Sequence, residues 1–348
     1  MLSPKNFTAE YLSQLRYKTK RDPALLEKAV FAFGLLEALA RTNLSFIFKG
    51  GSSLTLLLPH PTRLSTDIDI VVPPGTDILD AINRAAVIFP FKRCEEQIRQ
   101  GKGRIVKRHF KFFYNSPTAE KEFSILLDVL FEENHYRELT KKEIRNELLI
   151  CEGEKIEVVL PGINGILADK LTAFAPHTTG VPLGGGKELE CIKQFYDVAT
   201  LIENFTSFPI VSDSYFPICQ SEIGYRNGTF SPKDVLLDTY TSALCLATRG
   251  ASNPQEYPCY VKGIHDIRNH IYRLPYTPEI ASLEATKVMA FALALFTGTP
   301  FHRIEGRGQI ESEQLHHIEL AKYRGLRSLN VISPQAYSYL LFCDRLLA

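Results

Sequence analysis

A chain of 348 residues, 45% hydrophobic and 23% charged, with a formal net charge of +1, can bury an ample core and has no global charge bias toward nucleic acid. No apolar run approaches about 18 residues, and the first stretch is polar with dispersed Lys and Arg, so a signal peptide or membrane span is not expected. Seven cysteines without a Cys-x-x-Cys spacing argue against a disulfide framework and a zinc site. They read as buried thiols in a reducing cytoplasm.

In chain order, Asp22-Pro23 opens a helix over 24–41, with Asp as N-cap, Pro at the first helical position and an apolar stripe through Leu25, Leu26, Val30, Phe33, Leu36 and Leu39. A short aromatic and β-branched run over 45–48 reads as a buried strand that ends at Gly50-Gly51. Ser52 is then the expected N-cap of a helix over 53–58, stopped by Pro59 and Pro61. The N–H groups at such a start attract an anion, and the glycines let a phosphate approach the backbone.

The stretch Asp67-Ile68-Asp69-Ile70-Val71-Val72 reads as a strand whose two acids leave the same face, with Cα atoms roughly 7 Å apart. Carboxylates so placed can converge on one or two cations, and two-metal sites clamp the oxygens of phosphoryl transfer with ions about 3.5–4 Å apart. Arg63 and Ser65 flank this pair and either steady phosphates or cap the loop. After Pro73-Pro74-Gly75, residues 76–87 read as helical. Residues 104–114 and 122–131 form an expected hairpin about Asn115-Ser116-Pro117. Asp128 is a lone acid in the apolar strand Ile125-Leu126-Leu127-Asp128-Val129-Leu130 and needs a partner there. It is either a third metal-facing carboxylate able to act as general base, or the mate of a nearby Arg such as Arg137. Six cations over 99–111, beside His109 and Phe110, either track an RNA backbone or form a solvated hairpin face.

A short strand follows at 156–160, then helices at 163–174, carrying Lys170, and 187–203, where Lys193 and Asp197 have i,i+4 spacing. The Gly-rich loop 176–187 is not a P-loop, since Val181 and Glu188 stand where that motif needs Gly and Ser or Thr. Its His177, Thr178 and Lys187 are candidates to reach phosphates. Beyond about residue 205 the pattern is helical, at 232–248, 262–274, 280–297 and 308–324, with no catalytic motif.

Gly51-Ser52, fourteen residues, then Asp67-x-Asp69 resembles the signature of the nucleotidyltransferase (DNA polymerase β-like) superfamily. The longer string Lys49-Gly50-Gly51-Ser52-Ser53-Leu54 with Arg63-x-Ser65-x-Asp67-x-Asp69 is similar, more narrowly, to the AbiEii/AbiGii toxin family. The resemblance continues in Asp169-Lys170-Leu171-Thr172-Ala173 and Lys193-Gln194-Phe195-Tyr196-Asp197. It implies an α+β fold: a nucleotidyltransferase-like mixed sheet flanked by helices over residues 1–205, followed by a mainly helical domain over 206–348.

For the site, it implies Asp67, Asp69 and Asp128 as catalytic and metal-binding carboxylates, with Mg2+ or Mn2+ as the ion. Gly51, Ser52, Ser65, Lys170 and Asp197 are then nucleotide-binding, with Asp197 orienting either Lys170 or the nucleotide. The implied reaction moves a nucleotide from a nucleoside triphosphate to an RNA hydroxyl, with the tRNA 3′ end as acceptor and pyrophosphate as leaving group. The implied partner is a cognate antitoxin. A small-molecule nucleotidyltransferase and a non-catalytic nucleotide-binding module are the alternatives. A glycosyltransferase DxD gives no reason for Gly-Gly-Ser at this spacing.

Overall fold

The computed structural model of the chain describes residues 1–98, 106–226, 228–272, 275–304 and 321–348. They form two compact units, Met1–Gly162 with Asn269–Leu274, and Ile163–Arg268 with Pro275–Ala348.

The first unit is built on a mixed sheet. Its strands are β1 (Ile47–Lys49), β2 (Ile68–Val72), β3 (Arg93–Gln97), β4 (Lys107–Asn115), β5 (Glu122–Phe131), β6 (Leu139–Glu143) and β7 (Glu157–Pro161), in the order β3-β4-β5-β2-β1-β7-β6. The pairs β1–β7 and β2–β5 are parallel and the others antiparallel. Helices α1 (Ala9–Thr19), α2 (Pro23–Ala40), α3 (Gly50–Leu57) and α4 (Leu79–Ala85) complete the unit.

Alternation decides which face of the sheet is dry. Phe48, Ile68, Ile70, Val72, Phe110, Phe112, Tyr114, Ile125, Leu127 and Val129 are buried in one cluster with the apolar residues of α2. Phe31 of α2 stacks on Tyr114 of β4 with ring centroids 3.8 Å apart. Each such fully buried side chain contributes roughly 1.5–3 kcal/mol. The residues between them (Lys49, Asp69, Asp128 and His109 among them) therefore leave the sheet on its other face.

The N-cap of α2 is as expected, with the Leu25 N–H donating to Asp22 Oδ1 at 2.9 Å. The helix after the glycines starts earlier than expected, at Gly50, with Lys49 at the N-cap position and no side-chain capping bond. Ser52 is inside the helix, and its hydroxyl donates to the Asp67 carbonyl at 2.5 Å instead of capping. Strands β3 and β6 were not foreseen. Both lie at sheet edges and read Arg-Cys-Glu-Glu-Gln and Leu-Thr-Lys-Lys-Glu, the charged composition that guards an exposed edge and erases the apolar alternation.

The second unit is helical: α5 (Ile163–Ala173), α6 (Glu188–Ile202), α7 (Phe208–Tyr225), α8 (Pro232–Ala247), α9 (Tyr257–Ile267), α10 (Pro278–Thr297) and α11 (Pro334–Leu346). Its centre is α10, which packs on α6, α8 and α11. By length and composition α10 could cross a membrane, but its run from Ala285 to Leu295 is buried as core. The helices that carry Lys170 and Asp197 group with this unit and not with the sheet. Helix α7 lacked a sequence signal because Pro217 interrupts it; packing against α5 carries the helix through.

The helix expected over 262–274 ends at Ile267. Residues 269–272 instead form an extended strap in the first unit, where Leu64 N–H donates to His270 O at 2.6 Å and Tyr272 N–H to Thr62 O at 2.9 Å. Of the helix expected over 308–324, residues 308–320 lie outside the described residues, and Arg324–Leu326 is a 3-10 turn. All seven cysteines are free, and Cys94, Cys151 and Cys259 are only half-buried.

His177 is held in the second unit by two carboxylates, Asp238 at 2.7 Å from Nδ1 and Glu256 at 2.8 Å from Nε2. Its backbone N–H and the Thr178 hydroxyl also donate to Asp238, each at 2.8 Å. These residues are an internal brace. The hydrogen bond to Asp238 leads the effects that push the His177 pKa from 6.5 up to about 9. Folding thus favours the protonated form: the brace contributes fully below pH 6.5 and is lost as pH rises through about 9. Denaturant titrations from pH 6 to pH 10 should show stability falling across that window, and His177→Gln should flatten the fall.

Candidate active site

The turn that leaves β1 is shaped by what its glycines exclude. Gly50 has φ +79°, and a Cβ there would collide with the Asp69 carboxylate. A Cβ on Gly51 would sit 2.5 Å from Arg63 Nη2 and 2.9 Å from Ser65 Oγ. Both glycines are therefore spacers: the first lets the chain close over Asp69, and the second seats Arg63 and Ser65 beside the start of α3. Ser53 Oγ donates to the Gly50 carbonyl at 2.8 Å and Arg63 Nη1 to the Leu64 carbonyl at 3.2 Å, which tie the turn and the loop internally. The first N–H groups of α3 have no intrahelical acceptor and no side-chain cap, as an anion site requires.

The sheet register assembles the rest. Lys49 is the Cα partner of Asp69, Asp69 of Asp128, Asp128 of His109, and His109 of Gln97. Cross-strand partners share a face, so these residues form one polar row across β1, β2, β5, β4 and β3, on the face turned away from α2. Asp69 and Asp128 stand on neighbouring parallel strands and are both half-buried. Asp67, two residues before Asp69, is exposed and precedes the strand proper.

The partner of Asp128 is not an Arg but a His: Nδ1 of His109 lies 2.7 Å from Asp128 Oδ1. By sequence His109 is marked only as a member of a basic stretch. The signal was the hairpin turn, since Asn115 pairs with Glu122 and counting six residues back along each strand sets His109 opposite Asp128. In that stretch Arg99, Lys102 and Arg104 lie outside the described residues, and Arg108 is engaged by Glu96 through two bonds of 2.7 Å.

In the second unit Lys170 and Asp197 form a 2.9 Å ion pair, their side chains 6% and 0% exposed. Gln194 Oε1 accepts a second bond from the Lys170 ammonium at 2.8 Å, so two of its three N–H groups have these partners. Lys193 turns instead to Glu190, 3.8 Å away. His177 and Thr178 are committed to Asp238, and Lys187 precedes α6 as its N-cap residue.

The carboxylates of Asp67, Asp69 and Asp128 are hard oxygen donors, which suit magnesium or manganese and not zinc. Among the described residues no three His, Cys, Asp or Glu side chains form a ready cage. Two carboxylates from adjacent strands still fit magnesium, which keeps waters and substrate phosphates as its other ligands.

A mixed sheet that sets two carboxylates side by side, with a glycine turn feeding a helix over one of them, has the layout of a nucleotidyltransferase. The family is more specific: residues 35–243 match the one described as "Nucleotidyl transferase AbiEii toxin, Type IV TA system", and the chain belongs to it. Among solved structures, JHP933 from Helicobacter pylori is similar at 11% identity and a TM-score of 0.42, covering 86% of this chain and 95% of that one. A second H. pylori protein, provisionally described as a nucleotidyltransferase, aligns at 12% identity and a TM-score of 0.45, over 79% of this chain and 99% of its own. No curated protein matches the sequence significantly.

Two substitutions test this geometry. Gly50→Ala should destabilise more than Gly75→Ala: both positions have φ +79°, but only the first has a neighbour for the new Cβ to meet. Both variants carry the backbone strain of about 1–2 kcal/mol, and the excess in Gly50→Ala reads the collision with Asp69. Asp197→Ala leaves a buried ammonium without its counter-ion and should cost about 3–5 kcal/mol in urea unfolding.

Proposed function

We propose that the protein is the toxin of a toxin–antitoxin pair, and that it transfers a nucleoside monophosphate from a nucleoside triphosphate to the 3′ hydroxyl of tRNA, releasing pyrophosphate. The observation that carries this reading is the pairing of Asp69 with Asp128 beside the Gly50-Gly51 turn, in a chain of the AbiEii family. The acceptor is the family's implication. Nucleotide, tRNA and the restraining antitoxin would meet the protein in the cytoplasm.

In this reading the backbone N–H groups of Gly51 and Ser52, with the Ser65 hydroxyl, hold the triphosphate. The Ser52 hydroxyl is spent on the Asp67 carbonyl, so its contribution to the nucleotide is the main-chain donor. The family resemblance assigns Lys170 to the nucleotide, and within its own unit Asp197 sets the direction of its ammonium. Asp67, Asp69 and Asp128 hold the divalent ions, which when bound offset the charge on the transferring phosphate. Asp128 accepts the proton of the acceptor hydroxyl as that oxygen attacks the α-phosphorus. One P–O bond forms to the acceptor, one breaks to pyrophosphate, and the chain supplies mainly position and charge.

The test is incubation with each labelled NTP, magnesium and total RNA, resolved on a denaturing gel. Label should enter an RNA band of tRNA size. Asp69→Asn should reduce transfer by at least about 100-fold, on the scale of losing one electrostatic contact to the transition state. Absence of labelled RNA with all four nucleotides would overturn the RNA reading, and label in small acceptors alone would replace it with the small-molecule one.

A further inference from the structure

The hairpin β4–β5 places an imidazole against the carboxylate that the proposed reaction asks most of. His109 is the register partner of Asp128, and its Nδ1 is 2.7 Å from Oδ1. The two are unequally buried, with side chains 14% exposed for His109 and 39% for Asp128. Neighbouring positions on the same strands, Phe110, Leu127 and Val129, are at most 2% exposed and lock the backbone on both sides of the pair. An ionised carboxylate only accepts hydrogen bonds, so a bond to it from the ring requires the proton on Nδ1. One oxygen of Asp128 is then fixed and the other is outside that bond.

This is the arrangement in which a residue behind a ligand sets the ligand's orientation. Arg108, one residue before His109 on β4 and so on the opposite face by alternation, pairs with Glu96 of β3. The side-chain bond of His109 goes to a carboxylate of the row.

We propose that His109 is a positioning residue for Asp128: its Nδ1–H holds Oδ1, so that the remaining oxygen is presented to a divalent cation and to the acceptor hydroxyl in one orientation. The inference rests on the functional reading of Asp128 given above. It assigns His109 no proton to donate or remove during the reaction.

Three variants test it. Asn places its amide N–H near the position of Nδ1, whereas Gln places its own near Nε2 and Leu offers no donor. Two readouts are needed: manganese binding to the protein with a non-hydrolysable NTP, followed by electron paramagnetic resonance, and the kinetics of transfer. His109→Leu should weaken manganese binding and lower kcat by about 10-fold or more, the usual effect of losing a partner behind a ligand. The KM for NTP should stay within about two-fold, because His109 is not among the nucleotide's proposed contacts. His109→Asn should restore most of both effects and His109→Gln little of either.

Wild-type manganese binding and kcat in His109→Leu would overturn the proposal while leaving the Asp128 site intact. Equal losses in the Leu, Asn and Gln variants, with a matching fall in Tm, would reduce His109 to a packing residue. If wild type binds manganese and Asp128→Asn does not, yet no acceptor is labelled, the reaction reading fails and the positioning role is still read from the manganese titration.

Discussion

Register between β2 and β5 is the constraint from which the candidate site follows. Parallel pairing sets Asp69 beside Asp128, and the antiparallel neighbours add Lys49 on one side and His109 on the other. Nothing in the acids themselves enforces this, since two adjacent carboxylates repel. What enforces it is the opposite face, where Ile68, Ile70, Leu127 and Val129 are buried under α2. A slip of one residue in either strand would drive an acid into that cluster and bring Ile or Leu out. The apolar half of each strand thus specifies where the polar half stands, and the energy that aligns the site comes from residues that touch no substrate.

The second constraint is room. A carboxylate at Asp69 and a chain reversal immediately after Lys49 occupy nearly the same space, and only a residue without a side chain lets both exist. Arg63 and Ser65 lean on Gly51 in the same way. The Gly-Gly pair is therefore a packing solution for the acidic strand. In the other unit the Lys170–Asp197 pair follows a different logic: it is sealed from water, and its geometry is fixed by mutual attraction and by Gln194.

Much of this was legible in the sequence. The α+β class, the strands holding Asp69 and Asp128, the helices holding Lys170 and Asp197, and the membership in the AbiEii family were all readable from local pattern and motif. What escaped falls into two kinds. Edge strands β3 and β6 and helices α1 and α7 are polar or proline-bearing segments whose conformation is decided by their neighbours, so no local periodicity reports them. Partners were the other gap. Local pattern gave Asp128 a mate in Arg137, because spacing along a chain favours near residues; for Asp197 it offered Lys193, whereas the family resemblance pointed to Lys170. The structure supplies His109 and Lys170, each brought in by a strand or helix packed alongside. The helix expected over 262–274 failed for a related reason: the backbone groups of 270 and 272 are claimed by Leu64 and Thr62, respectively.

That strap gives the first unit a property its strands alone would not suggest: it is not one continuous length of chain. The loop entering the acidic strand is bonded to residues encoded some two hundred positions later, with Arg63 bridged to Ile271, and Arg21, between α1 and α2, donates to the Tyr272 carbonyl at 3.2 Å. Cutting the gene after Gly162 would remove the acceptor for Leu64 N–H and the donor for Thr62 O, a few residues from Asp67. The loop that enters the acidic strand is thus completed by sequence that follows α9. A ribosome that has made only the sheet has not yet made the partners of its loop, so completion of the acidic strand's surroundings waits until residues 269–272 have been translated.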